Sequence, residues 1–328
     1  MEPCSNYLGL LDNRYILVKG LDSSNFSATY KVFDSFTEKD LIAKIFNENH
    51  FSIDSEIEIN QKVSRNESPF FLKYINSSSG PFVMDEIKEY NKCYILFEYA
   101  TKGNLLQYVN LKRKGFEEKI SKVIFAKILK SIQLLHGLGI CMKKIDLSNI
   151  LLDGDNYDLK LSNFELSSLF INQNGDKILL KEKVKSFQNV APEVIKGIPY
   201  DAEKADIFSL GLLLFSLITG LHGLKATNTH HSSLDLKEKL FKSIKMNKIE
   251  SFWKLLEKIK GIQVSQEFKK LFIKMVAINP KERPTVGEIY NDEWMNALNN
   301  LSENELKSCE QELINDLKSR NEILNYLK

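Results

Sequence analysis

One stretch near the middle of the chain decides which fold is predicted, and it reads Met142-Lys-Lys-Ile-Asp-Leu-Ser-Asn149-Ile-Leu-Leu152. Fourteen residues after Asn149 begins the triplet Asn163-Phe-Glu165, and the triplet Ala191-Pro-Glu193 follows farther along. The run Asp206-Ile-Phe-Ser-Leu-Gly211 comes next. Each of these motifs is short enough to occur by chance, whereas all of them in one order are specific. The fold is therefore predicted from the order and spacing of the motifs.

The residue pattern on either side of this stretch predicts a sheet-rich region followed by a helical one. From residue 15 to 99 short β-prone runs dominate, interrupted by a helical segment near Ile53–Val63. After Gly103 the apolar residues change to helical spacing, and those between Val123 and Leu135 outline an amphipathic helix. Turn-forming residues within Glu98–Asn104 place the join between the two regions there.

The end of the chain predicts one more helix. Ser302-Glu-Asn-Glu305 is a capping box, which opens a helix that runs toward Lys328. Five leucines in it fall close to heptad spacing, although Arg320 interrupts the seam: Leu306, Leu313, Leu317, Leu324 and Leu327. Two interpretations stay open, a helix packed on its own domain and a coiled-coil helix that binds a partner or oligomerises.

Composition limits the classes of function. The chain of 328 residues is 43% hydrophobic and 27% charged with a net charge of +2, which is typical of a globular protein and not of a nucleic-acid binder. The four cysteines lie too far apart for a metal site and favour a reducing compartment. Met1–Tyr15 lacks the pattern of a secretory signal, and the apolar stretch Leu210–Ile218 is too short to span a bilayer. We expect a cytoplasmic protein, with cytoskeletal association as an alternative, and neither nucleic acid nor membrane as a partner.

The ordered motifs, over roughly residues 15–298, resemble the eukaryotic protein kinase superfamily, in particular the calcium/calmodulin-kinase-like Ser/Thr kinases. The resemblance implies an α+β, bilobal protein-kinase-like fold with a small β-rich N-lobe, a larger α-helical C-lobe and a C-terminal helix. The implied boundaries are 15–99 for the N-lobe and 100–298 for the C-lobe. Residues 1–14 are then an N-terminal extension, and 299–328 are a helical tail.

The resemblance also assigns roles to residues that are retained. Lys44 takes the place of the strand lysine that grips the α- and β-phosphates of ATP, with Glu56 as its helix partner in a lobe-spanning ion pair. Asn149 matches the asparagine that ends the catalytic loop. Glu193 and Arg283 should form a buried ion pair that holds the activation segment. These retained positions favour structural roles over chemistry.

Three positions that would carry phosphoryl transfer are changed. The base position is Lys144, and a protonated lysine cannot accept a proton. Asp146 stands where the family has a lysine for the γ-phosphate, which a carboxylate repels. Asn163 replaces the metal-binding aspartate, and Glu165 replaces the glycine two positions later and stiffens the turn. An ion pair between Lys144 and Asp146 is the structural alternative to any chemistry at these positions.

The nucleotide-binding segments are altered as well. The three glycine positions of the phosphate loop are Asp22, Ser24 and Ser27, so an ordinary β-turn is expected there. Ile42 and Phe97, the gatekeeper, narrow the space for an adenine ring. These changes disfavour the binding of nucleotide.

The peptide platform that the family places before the Ala-Pro-Glu motif is replaced by Lys185-Ser-Phe-Gln-Asn189. Ser186 keeps a hydroxyl, but the carboxylate expected to face it is Lys144. Peptide docking in the usual register is therefore not expected.

Together these residues predict a pseudokinase, a catalytically inactive kinase fold that works as a scaffold, allosteric regulator or structural component through contacts with proteins. One alternative is a nucleotide-binding switch without turnover, built on Lys44, Glu56 and Asn149. Another is a residual ATP-dependent Ser/Thr kinase with Asp146 or Glu165 as base. A third makes the 302–328 helix an oligomerisation or docking element. No metal or cofactor is expected, and ATP is the alternative cofactor.

Overall fold

A computed structural model of the chain describes residues 8–24, 26–47, 53–84, 87–111, 115–184, 189–221, 239–240, 242–244, 246 and 248–327. The described residues form two compact units. Unit 1 comprises those up to Thr101 together with Ser162–Glu165, and unit 2 comprises Lys102–Leu161 and those from Leu166 onward. The predicted platform residue Ser186 lies outside the described residues.

Unit 1 is an antiparallel barrel with a helix. Its elements are β1 Gly9–Leu11, β2 Tyr15–Ser23, β3 Ser27–Asp34, β4 Lys39–Phe46, α1 Ile53–Ser64, β5 Tyr74–Met84 and β6 Ile87–Glu98. The strand order is β1-β2-β3-β4-β6-β5, and the barrel closes because β1 pairs with both β2 and β5. The β-prone runs and the helix near Ile53–Val63 that the sequence predicts are confirmed.

The interior of the barrel follows from the alternation of strand side chains. Along β4, Leu41, Ala43 and Ile45 face the core, whereas Ile42 and Lys44 alternate with them and face the other side. The buried residues of the interior are mainly aliphatic and aromatic: Leu11, Tyr15, Leu17, Val32, Leu41, Ala43, Ile45, Phe82, Tyr94 and Leu96. The outer face of β4 is the face that presents the predicted nucleotide residues.

Strand β1 lies within the segment that the sequence assigns to an N-terminal extension. Gly9 allows the close approach to β5, since a Cβ there would lie 2.3 Å from the carbonyl oxygen of Val83. Beyond the strand, the hydroxyl of Tyr94 donates to Asp12 Oδ2 at 2.5 Å. Three residues are too few to show a strand period, so the sequence pattern misses an element that is part of the barrel.

Unit 2 is mainly helical. Its elements are α2 Leu105–Leu111, α3 Glu118–Gly137, β7 Ile140–Cys141, the 3₁₀ helix η1 Leu147–Asn149, β8 Ile150–Asp153, β9 Asp158–Leu161, β10 Ser168–Leu169, α4 Pro192–Lys196, α5 Ala202–Thr219, α6 Ile249–Lys260, α7 Gln266–Met275, the 3₁₀ helix η2 Pro280–Glu282, α8 Val286–Tyr290, α9 Glu293–Asn299 and α10 Glu303–Tyr326. Strands β8 and β9 form a hairpin, and β7 pairs with β10. The predicted amphipathic helix lies within α3.

Helix α5 is the buried centre of unit 2. Nearly every position of this helix is buried, including the stretch Leu210–Ile218. Apolar residues accordingly occupy all of its faces. Asp201 caps its start by accepting from the backbone N–H of Lys204, and Gly220, with φ of 68°, ends it. Within the described part of the chain, no helix has both the length and the apolar character needed to cross a membrane.

Helix α10, which contains most of the C-terminal leucines, packs against other helices of the same chain. The predicted capping box is present, because Ser302 N–H donates to Glu305 Oε2 at 2.8 Å and Glu305 N–H donates to Ser302 Oγ at 3.4 Å. The buried face of α10 packs on α2 and α3 and consists of Cys309, Leu313, Leu317 and Arg320. The helix therefore packs on its own domain. Binding of a partner through its exposed face stays a prediction.

Candidate functional site

Lys44 on β4 is the centre of a buried charge cluster in unit 1. Its Nζ donates to Glu56 Oε1 at 2.8 Å and to Glu56 Oε2 at 2.9 Å. It also donates to Glu165 Oε2 at 3.1 Å. The Lys44–Glu56 pair that the resemblance implies is confirmed, but both residues lie in unit 1. The pair thus joins a strand to a helix of the same unit. This corrects the prediction that the pair spans the two lobes.

The residues beside Lys44 on the same face of the sheet are bulky. Ile42 and Phe97 are direct partners in the β4–β6 register, and both are more than nine-tenths buried. Phe97 also contacts Tyr74 edge to face, with ring centroids 6.4 Å apart. Since residues opposite each other in an antiparallel pair share a face, these two side chains lie next to each other on the face of Lys44. Their predicted effect on adenine binding stays a prediction.

The segment that replaces the phosphate loop is a tight hairpin turn between β2 and β3. Ser24 N–H donates to the carbonyl oxygen of Ser27 at 2.8 Å. Ser24 Oγ accepts from the backbone N–H groups of Phe26 and Ser27, both at 3.1 Å. These two N–H groups are thus held by a serine side chain, as in an ordinary turn stabilised by local side-chain hydrogen bonds.

The triplet Asn163-Phe-Glu165 belongs to unit 1 by its contacts, although unit 2 flanks it on both sides in the chain. Asn163 has φ of 63°, a left-handed conformation that asparagine tolerates better than most residues. The ring of Phe164 lies 6.3 Å from that of Phe71. The local backbone thus gives Asn163 a structural reason to be asparagine that requires no metal.

In unit 2, Asp206 holds the start of the catalytic-loop stretch. This fully buried carboxylate accepts from the backbone N–H of Met142 at 3.0 Å and of Lys143 at 2.7 Å. His136 Nε2 lies 2.9 Å from the same carboxylate. Charge-assisted hydrogen bonds to backbone N–H groups fix the loop strongly. The buried carboxylate therefore fixes the backbone at Met142 and Lys143.

Lys144, Asp146 and Asn149 come together only in part. Asp146 Oδ1 accepts from Ser148 N–H at 2.8 Å and from Ser148 Oγ at 2.6 Å, which caps η1. Asn149 Nδ2 donates to the carbonyl oxygen of Lys144 at 3.4 Å. The ion pairs of the described residues do not include one between Lys144 and Asp146, the structural alternative that the sequence left open. The Asp146 carboxylate instead caps η1 through Ser148.

Another buried lysine, Lys143, was not predicted from the sequence. This residue has φ of 60°, and its Nζ donates to Glu182 Oε2 at 2.6 Å and to Ser168 Oγ at 2.7 Å. The hydroxyl of Ser168 in turn donates to Glu182 Oε2 at 2.7 Å. The signal in the sequence was a lysine preceding Lys144, but nothing in the spacing points to Glu182. We refer to Lys143, Ser168 and Glu182 as the Lys143 clasp.

The ion pair of Glu193 and Arg283, predicted from the resemblance, is confirmed. Arg283 Nη1 lies 2.5 Å from Glu193 Oε1, and Nη2 lies 3.0 Å from Oε2. The remaining donors of Arg283 reach the carbonyl oxygens of Ala277 and Lys204, at 2.9 and 2.8 Å. Its guanidinium also lies over the ring of Phe208. The pair is therefore bidentate and fully buried, which is the geometry that gives strong coupling.

Metal ligands of the kind that active sites assemble do not cluster here. Among the described residues, no group of three or more His, Cys, Asp or Glu side chains is placed to hold a metal ion. At the position of the metal-binding aspartate, Asn163 offers a neutral carbonyl oxygen, whereas Mg²⁺ prefers carboxylates with phosphate oxygens. The donor set of these residues thus does not fit the Mg²⁺ of the kinase reaction.

The sequence of the chain matches that of a known family over most of its length. The protein kinase domain family matches residues 15–295, and the chain belongs to this family. The confirmed features are the β-rich first unit, the helical second unit and the ion pairs at the family's positions.

Similar proteins are known from several organisms. CBL-interacting protein kinase 30 of Oryza sativa subsp. japonica is 25% identical over 90% of this chain and 56% of its own length. SNF-related serine/threonine-protein kinase of Homo sapiens is 24% identical over 98% of this chain and 41% of its own length. Serine/threonine-protein kinase kin-29 of Caenorhabditis elegans is 30% identical over 66% of this chain and 23% of its own length. The chain thus spans about half or less of each of these relatives.

The Lys143 clasp predicts a pH-dependent contribution to stability. Burial raises the pKa of Glu182, but the hydrogen bonds from Lys143 and Ser168 outweigh it, and the pKa is lowered below its ordinary value of 4.5. A carboxyl group with a lowered pKa in the folded state stabilises the protein above its unfolded pKa, and this contribution is lost as the pH falls through the folded pKa. Glu182→Gln should therefore lower the melting temperature at pH 7, with a difference from wild type that shrinks toward pH 3.

Melting curves of wild type and Glu182→Gln between pH 3 and 7 measure this difference. Glu203→Gln is the control, since Glu203 pairs with Lys177, whose side chain is 64% exposed, whereas that of Lys143 is 6% exposed. A difference that is the same at every pH would contradict a role for the Glu182 charge.

Proposed function

We propose that this chain is a pseudokinase, a protein kinase domain that does not transfer phosphate and that acts through contacts with other proteins. The observation that carries the proposal is the chemistry of the catalytic-loop stretch. Lys144 stands at the base position, and Asp146 is engaged in capping η1 through Ser148. A general base contributes about 10² to 10⁴ in rate, so its loss alone would slow turnover by about that factor.

The nucleotide and metal positions support the same proposal. Phosphoryl transfer depends almost entirely on positioning and on neutralising charge. Lys44 is already paired with two carboxylates, and Asn163 brings no charge to the metal position.

The preserved framework supports a role that needs shape and not turnover. The buried Glu193–Arg283 pair holds α4 within unit 2, and the Asp206 contacts fix the backbone at Met142 and Lys143. A scaffold, an allosteric regulator and a structural component all use a fixed surface in this way. A cytoplasmic location is part of the proposal and rests on the widely separated cysteines.

Incubation with labelled ATP and either Mg²⁺ or Mn²⁺ tests the proposal. We expect no label on the protein itself or on a generic peptide, and no difference between wild type and Lys44→Met. An active Ser/Thr kinase in the same assay serves as positive control. Labelling that wild type shows and Lys44→Met lacks would contradict inactivity and favour the residual-kinase alternative.

A further inference from the structure

Lys44 has two carboxylate partners, and the second of them comes from an unexpected place. A lysine ammonium has three N–H donors, and the contacts to Glu56 Oε1, Glu56 Oε2 and Glu165 Oε2 equal that number. The ammonium is deeply buried, with 9% of its side chain exposed. An additional anion could therefore bind Lys44 only by replacing one of these partners.

The two carboxylates differ in how readily they could be replaced. The side chain of Glu56 is 1% exposed and held in α1, so releasing it would take a buried carboxylate away from its buried lysine. The side chain of Glu165 is 23% exposed and makes the longest of the three contacts, at 3.1 Å. It also belongs to the four-residue segment Ser162–Glu165, which is part of unit 1 although the residues before and after it in the chain belong to unit 2. Glu165 is thus the partner that can leave.

A replacement for Glu165 must offer oxygen acceptors and negative charge. A phosphate group has three strong acceptor oxygens and about −1.5 to −2 charges at pH 7, more than a carboxylate has. We propose that Glu165 is a built-in oxyanion that occupies Lys44 and excludes phosphate-bearing ligands, and that neutralising Glu165 opens a phosphate site at Lys44. This inference goes beyond catalytic inactivity because it concerns binding alone.

The neighbours of Lys44 indicate which part of such a ligand is recognised. Ile42 and Phe97, on the same face, are more than nine-tenths buried and fill that face with apolar groups. The ammonium of Lys44 is therefore the group on this part of β4 that would attract a negatively charged ligand. The ligand should therefore be recognised through its phosphates, so tripolyphosphate and ATP should respond alike.

Titration calorimetry of the full chain with sodium tripolyphosphate, and separately with ATP, tests the proposal. Glu165→Gln keeps the size of the side chain and removes its charge, and it should lower the Kd of both ligands by about tenfold or more relative to wild type. Adding Lys44→Met to Glu165→Gln should remove the gain. Glu303→Gln is the control, because it removes a carboxylate from an exposed lysine, Lys307, far along the chain in α10, and should leave the Kd unchanged.

The proposal is overturned if Glu165→Gln melts like wild type and gains no affinity for tripolyphosphate, or if its gain survives Lys44→Met. A gain confined to ATP would overturn the assignment to phosphate. If Glu165→Gln is unstable, Glu165→Asp gives the second test, since it withdraws the carboxylate by one methylene and should produce a smaller gain. Binding without labelling of protein leaves the proposed inactivity intact, so the two proposals fail separately.

Discussion

Arg283→Ala should lower the free energy of unfolding of unit 2 by about 3 to 5 kcal/mol, because removing one partner of a buried ion pair leaves the other charge uncompensated. Glu193 is 5% exposed and would lose the guanidinium that pairs with its carboxylate. The carbonyl oxygens of Ala277 and Lys204 would lose donors as well. Urea unfolding followed by tryptophan fluorescence measures the change, since Trp253 and Trp294 are the two tryptophans of the chain and both lie in unit 2.

The control for Arg283→Ala is an ion pair of unit 2 in which both side chains are exposed. Lys270 Nζ lies 3.4 Å from Glu293 Oε2, and the two side chains are 63% and 66% exposed. Lys270→Ala should have a much smaller effect, measured by tryptophan fluorescence in the same way. Equal effects of the two substitutions would contradict the argument from burial.

A further stabilising contact is expected at Arg320 in α10, where Arg320→Ala should cost about 2 to 4 kcal/mol. Its Nη1 donates to the carbonyl oxygen of Tyr108 at 2.8 Å, and its guanidinium lies 3.9 Å from the ring of Phe116. Tyr108 is in the last turn of α2, where carbonyl groups lack helical partners and a cation is favourable. A buried acceptor left without a donor costs about 1 to 3 kcal/mol, and Asp316 loses the hydrogen bond that it accepts from Arg320 Nε.

Lys307→Ala is the matched control on the same helix. Lys307 is 67% exposed and pairs with Glu303 one turn away, a contact of about 0.2 to 0.5 kcal/mol. Tryptophan fluorescence in urea again follows unit 2. An effect of Arg320→Ala no larger than that of Lys307→Ala would show that α10 is not docked in solution.

Deleting residues 302–328 and measuring mass in solution separates the two roles of this helix. Deletion would uncover the face of α2 and α3 that Leu313 and Leu317 cover, so the truncated chain should self-associate or precipitate. If instead the full chain is an oligomer and the truncated chain is a stable monomer, α10 acts as an oligomerisation element.

The elements that the sequence predicts well are those whose signal is local. The β-prone runs, helix α3 and the capping box at Ser302 each depend on residues within one or two turns or one strand. The Glu193–Arg283 pair spans 90 positions and was predictable only because the resemblance supplied it. Without a family pattern, no periodicity connects such residues.

The parts of the site that escaped prediction join distant residues by side chains alone. Glu165 reaches Lys44 across 121 positions, and the substitution of a glycine there indicated only a stiffer turn. Arg320 breaks a heptad pattern because it serves backbone carbonyls of another helix, which an apolar period cannot reveal. A pair of Asp146 with Lys144 was one alternative, whereas the Asp146 carboxylate caps η1.

The closure of the barrel by β1 also has a consequence for the order in which unit 1 folds. Strands β2, β3 and β4 pair with their neighbours in the chain, whereas Gly9 pairs with Met84, about seventy-five positions away. Bringing such distant segments together costs loop-closure entropy before any hydrogen bond is gained, and non-local pairings slow folding. The pairing of β1 with β5 is therefore expected to form last, after β1 has paired with its neighbour β2 and the rest of the sheet has assembled.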